Sequence, residues 1–103
     1  MTGYLALGQD ERVVDREGKT LELKRDLSSP AGPLRTITAF ANSAGGRLVI
    51  GVEDDGTVVG VADPLAEEER VASLISDGIS PQLVPAIDLM TLGDKTVLVV
   101  DVP

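Results

Sequence analysis

No cysteine and no histidine occur in the 103 residues, and that pair of absences removes a large part of enzyme chemistry. No disulfide can form, no thiolate or imidazole can hold zinc, and no Ser-His or Cys-His pair can make a nucleophile. Aromatic residues are nearly as scarce: Tyr4 and Phe40 are the whole complement, too few for the base-stacking platforms of single-strand binders. No apolar run approaches the roughly 18 residues of a membrane helix. The opening MTGYLALGQDERVV lacks a basic start followed by an apolar signal core, so a soluble cytoplasmic protein is expected. Cations are few as well. The net charge of -8 counts against a phosphate partner, because such binding depends on Lys and Arg displacing counterions.

The charge is unevenly distributed. Up to Arg47 there are seven basic residues (Arg12, Arg16, Lys19, Lys24, Arg25, Arg35 and Arg47) against six acidic ones; beyond it Arg70 and Lys95 face eleven. The first part is thus +1 and the second -9, an asymmetry that permits a basic face on an acidic protein. A length of 103 residues with 43% hydrophobic and 25% charged content implies one folded domain with one core.

The most informative stretch is FANSAGGRLVIGVEDDG, residues 40 to 56. Ala41 to Ala44 read as a last helical turn, and Gly45-Gly46 as a stop in which at least one glycine takes positive φ. Arg47 to Val52 form a short β-branched run, and Asp54-Asp55-Gly56 suits reversal into a second strand at Thr57 to Val61. Upstream, residues 1 to 16 read as an arm or short helix. Thr20 to Arg25 alternate as a half-buried strand, with Leu21 and Leu23 toward the core and Glu22 and Lys24 on the opposite face. Pro33 can open a helix whose buried stripe is Leu34, Ile37, Phe40 and Ala41. Downstream, Asp63-Pro64 followed by Glu67-Glu68-Glu69 marks a helix start, with Val71, Leu74, Ile75 and Ile79 inward and Ser80-Pro81 as its stop. Val84 to Leu92 pairs with Lys95 to Val102 across Gly93-Asp94. The order is βαββαββ, an α+β domain with a sheet packed against two main helices.

Several residues carry two readings each. Glu22 with Lys24 is either a ligand site, the carboxylate meeting a divalent cation and the ammonium a phosphate, or an exposed ion pair. Asp54 and Asp55 are turn formers on their own; Asp54 joined with Glu17, Glu22 and Glu53 would hold a hard cation, provided two or three converge. Gly45-Gly46 matches neither phosphate-loop fingerprint and reads as helix termination. Asn42 and Ser43 are small polar residues of a helix end. Arg47, just beyond the glycines, is the residue best placed for phosphate contact, with Arg35 and Lys24 as its companions.

The segments LELK, PLRTITAFANSAGGRLVIGVEDDGTVVGV, LISDGISPQLVPAI and TVLVVDVP together resemble the Schlafen-type AlbA-like domain, over Glu17 to Pro103. The resemblance implies an α+β domain associated with DNA binding, found in prokaryotic proteins where it often precedes a winged-helix or other C-terminal module, as in a transcriptional regulator. The expectation is a nucleic-acid-binding domain, with DNA the expected partner, that contacts backbone phosphates through Lys24, Arg25, Arg35 and Arg47 with little sequence readout. It needs no metal or other cofactor and has no membrane partner. A homodimer, and a C-terminal module beyond Pro103, are partners to consider. In some Schlafen relatives acidic residues support metal-dependent RNA cleavage. On that pattern the alternative is an Mg²⁺- or Mn²⁺-dependent nuclease using Glu17, Glu22 and Asp54. A third reading is a protein-interaction or dimerisation domain whose acidic half meets a basic partner.

Overall fold

The run TVLVVDV is apolar at consecutive positions, so both faces of the strand it forms must be covered, and such a strand belongs in the interior of a sheet. The computed structural model, which describes residues 21–29, 31–78 and 85–103, places it there. The elements are β1 (Leu21–Lys24), α1 (Ala31–Ala41), β2 (Gly46–Ile50), α2 (Pro64–Gly78), β3 (Ala86–Leu92) and β4 (Lys95–Val102). The four strands form one sheet in the order β1-β2-β4-β3. β1 and β2 run parallel through the α1 crossover, and β4 is antiparallel to both β2 and β3. The chain is an α+β domain.

Alternation along the strands separates two apolar clusters. Leu48 and Ile50 of β2 with Leu98, Val100 and Val102 of β4 face the helices, meeting Ile37 and Phe40 of α1 and Val71 and Ile75 of α2. Leu23, Val49, Val97, Val99 and Leu92 face the other way and pack with Val52 and Val58. Val97 to Val100 are therefore fully buried from both sides. Leu23 does face a core, as the alternation predicts, but it is the one on the far side of the sheet from the helices. Glu22 and Lys24, whose partners in register are Leu48 and Ile50, lie on the helix-bearing face at the sheet edge.

The buried stripe of α1 is Pro33, Ile37 and Phe40. Leu34 is half-buried and Ala41 exposed, so the stripe begins one residue earlier than the sequence pattern indicates. The two glycines after the helix have different reasons. Gly45 sits at φ 86°, the positive value its role as a helix stop requires, and its amide and that of Ser43 both donate to the Phe40 carbonyl. Gly46 lies under the Phe40 ring, where a Cβ would come within 2.6 Å of a ring carbon.

The second strand expected at Thr57 to Val61 shrinks to isolated bridging at Thr57 and Val58, with Val58 paired to Val52. The turn itself forms: the Gly56 amide donates to the Glu53 carbonyl, Glu53 N–H to Thr57, and Thr57 N–H to Asp55 Oδ1 at 2.9 Å. Pairing then stops because the chain must cross to β4. The Gly51 carbonyl accepts from both Val59 and Gly60, and Val61 N–H donates to Thr96. Helix α2 starts as its sequence indicates, with Asp63 Oδ1 capping the Ala66 amide. Its expected inner residue Ile79, the Ser80-Pro81 stop, Val84, the N-terminal arm and Glu17 lie outside the described residues. Among the described residues no helix is long and apolar enough to cross a membrane.

Candidate nucleic-acid interface

Among the described residues no polar or charged side chain is buried, so any site must be a surface cleft. One forms where β1 gives way to α1. The Lys24 carbonyl accepts the amides of Gly51 and Val52, which ends the parallel ladder and turns Arg25 out of the sheet. Asp26 Oδ1 then accepts the Ser28 amide at 3.0 Å and the Ser28 hydroxyl at 2.7 Å, an Asx turn that folds the loop back. Leu27 is buried in the helix-side core, and its carbonyl takes a 3.1 Å hydrogen bond from Arg70 Nη2 of α2. Loop, first helix and second helix are thus tied at one point.

The cleft beside this loop has a volume of about 370 Å³ and is lined by Lys24, Arg25, Asp26, Ser28, Gly32 and Arg35, among others. Lys24 Nζ lies 3.8 Å from where a Cβ on Gly32 would stand, an ordinary contact distance, so the ammonium rests against the first turn of α1. That turn contains no acidic residue, and its free amides present the positive end of the helix dipole. Three cations and one anion, Asp26, therefore share the lining. The hydrogen bond from the Ser28 hydroxyl, followed by that from its amide, holds the Asp26 carboxyl below its ordinary value. Asp26 stays charged and keeps the loop closed.

Two further carboxylates flank the cleft, each engaged with one of its cations. Glu22 Oε2 stands 3.7 Å from Lys24 Nζ and Glu53 Oε1 3.9 Å from Arg25 Nη1. Ion pairs this long and this exposed contribute little stability, and a phosphate that makes shorter bonds can displace them. Arg25 also borders a neighbouring hollow of about 320 Å³ formed by Glu53, Asp54 and Asp55. It stands at the boundary between the cationic cleft and the acidic turn.

Of the sequence-predicted cations, Lys24, Arg25 and Arg35 come together and Arg47 does not. Arg47 is three residues before Ile50, which pairs with Lys24, and it points to the face opposite the helices, with Leu21 and Asp101 as its partners in register. Of the carboxylates named for metal chemistry, Glu53 and Asp54 border the acidic hollow and Glu22 stands beside Lys24. Glu22 is at the sheet edge, Asp54 is exposed at the turn tip, and Glu17 lies outside the described residues. Among the described residues no three acidic side chains are grouped to hold a metal ion. Sequence reasoning missed Gly32, Asp26 with Ser28, and Arg70. The Asp-x-Ser spacing was a readable turn signal, whereas nothing local announces the bond from Arg70 to a carbonyl 43 residues away.

The family model described as Schlafen, AlbA_2 matches residues 17–103. The chain belongs to the Schlafen AlbA_2 family. Among solved structures it is similar to the N-terminal domain of a Nitrosomonas europaea protein related to the ATP-dependent DNA helicase RecG, with 33% sequence identity and a TM-score of 0.69. The match covers 84% of this chain and 64% of that one, so the AlbA_2 chain spans less than two thirds of its neighbour's length.

Proposed function

We propose that this AlbA_2 domain binds nucleic acid, with DNA the expected partner, by gripping backbone phosphates with Lys24, Arg25 and Arg35. The observation that carries the reading is the convergence of these three cations on one cleft at the acid-free start of α1. Family membership and a neighbour related to a DNA helicase support the same class of partner. Phosphate contacts position a protein without reading sequence, and this cleft offers no aromatic platform for bases. Binding is therefore weak, insensitive to sequence and dependent on salt, with a log-log slope of roughly -2 to -3 for two or three contacts on duplex DNA.

The test is a titration of labelled duplex and single-stranded DNA and RNA at low salt, with and without Mg²⁺ or Mn²⁺. Arg25→Glu should weaken binding to every sequence alike and flatten the salt slope by about 1 to 2. Lys95→Glu makes the same change in net charge at the β3–β4 turn, where Lys95 pairs with Asp94, and should do far less. Arg47→Glu should fall between them. Equal losses from Arg25→Glu and Lys95→Glu would reduce the effect to overall charge and remove the cleft from the argument. No binding to any of the four ligands would overturn the reading. Metal-dependent cleavage abolished by Glu22→Ala would instead establish the nuclease alternative with Glu17, Glu22 and Asp54.

A further inference from the structure

The sheet has two edges, and they are protected differently. β1 is four residues long with Glu22 and Lys24 along it, the short charged form that discourages pairing with another chain. β3 is seven residues, AIDLMTL, with Asp88 its sole charge and no proline or lysine within it. Among the described residues no strand lies beside its outer side in the sheet, and Leu89 is 41% exposed.

Register decides what that edge presents. Leu92 and Lys95 flank the two-residue Gly93-Asp94 turn, with Gly93 at φ 66°. In such a hairpin the flanking residues form a hydrogen-bonded pair, and hydrogen-bonded pairs then recur at every second residue. Leu92, Met90, Asp88 and Ala86 thus spend their backbone groups on β4. Ile87, Leu89 and Thr91 direct theirs outward.

We propose that β3 pairs antiparallel with β3 of a second copy of this chain about a two-fold axis at Leu89, joining the two sheets into one. This register is self-complementary. Leu89 meets its own counterpart, Ile87 meets Thr91, and every outward N–H of the three residues finds an outward carbonyl. Leu89 pairs in register with Leu98, so it lies on the helix-bearing face, and the seam there extends the core into which Ile87 already packs. On the other face Asp88 falls opposite Met90 of the second copy, so no like charges stand directly opposed. Each copy carries -8, so the approach is repelled at long range and salt strengthens the dimer. Phosphate binding at the cleft responds to salt in the opposite sense.

The experiment is sedimentation equilibrium of the full 103-residue chain over a wide concentration range, at low and high salt. The wild type should move toward twice the monomer mass as concentration rises, at lower concentration in high salt. Leu89→Lys sets two ammonium groups against each other at an exposed position and should raise the dissociation constant at least about tenfold. Thr91→Pro removes only an outward N–H, leaves the bonds to β4 in place, and should have a similar effect. Circular dichroism checks that both variants remain folded. A wild type that stays monomeric at millimolar concentration, or a dimer that survives both substitutions, overturns the proposal, as does a chain that pairs only with a different protein.

Discussion

The two helices begin in opposite ways. α2 opens with Asp63 capping the Ala66 amide, Pro64 in the first turn, and Glu67 bound to Arg70 at 2.7 Å; its positive end is neutralised from within. α1 opens Ala31-Gly32-Pro33-Leu34, without an acid in the first turn, carries Arg35 into the cleft lining and shares that lining with Lys24 and Arg25. α1 is held instead by what it buries, Pro33, Ile37 and Phe40. A helix start that is left electrically open and compensated by packing is free to meet an anion from outside, and a capped one is not.

The comparison breaks most visibly at Phe40. Phe40→Ala should cost roughly 3–5 kcal/mol, because the ring is buried in the helix-side core and rests on Gly46; thermal or urea unfolding measures it. Asp63→Ala, which uncaps α2, should cost about 0.5–2 kcal/mol. If the two losses come out in the reverse order, α1 does not depend on packing in the way described.

Gly32→Glu sharpens the contrast by giving α1 what α2 already has. The added carboxylate meets the dipole and Lys24, and the glycine is replaced by a better helix former. Stability should rise by about 0.5–1 kcal/mol while nucleic-acid affinity falls. A gain in both would refute the idea that the open start serves binding.

The smallest expected effect lies in the loop. The Asp26 carboxyl is held below its usual 3.8 by Ser28. A lowered folded-state value means that the stabilisation is complete above the unfolded pKa and disappears as pH falls through the folded one. Ser28→Ala should therefore be slightly less stable at neutral pH, and in acid unfolding the difference from wild type should shrink as pH falls below 3.8 and vanish once the folded-state carboxyl is itself protonated. A difference that persists there would point to packing of the serine.

What the sequence made legible was local. Gly45 after Phe40, the Glu53–Gly56 turn and the Asp63-Pro64 cap each depend on a few adjacent residues, and each is found. Matters decided by distant partners were not. Leu21 and Leu23 signal a buried face, but a sheet covered on both sides has two, and only the pairing with Arg47 and Val49 shows which one they join. The sequence put Arg47 first among the four cations. The parallel register of β1 with β2 assigns Lys24 to one face and Arg47 to the other. The strand expected after Asp54 failed because the chain has to leave β2 for Thr96, a destination that nothing in residues 57 to 61 reveals.

The strand order has a consequence for synthesis. β2 bonds on one side to β1 and on the other to β4, and β4 is made some 45 residues later, as the positions of Ile50 and Lys95 show. At ribosomal rates of about 5–20 residues per second that interval is roughly two to nine seconds. During it the nascent chain holds an apolar strand with one side open and two helices lacking half of the surface they will cover. The domain is thus a late closer, able to lock only when its last strand inserts between two others, and its exposure to aggregation is greatest while it is still being made.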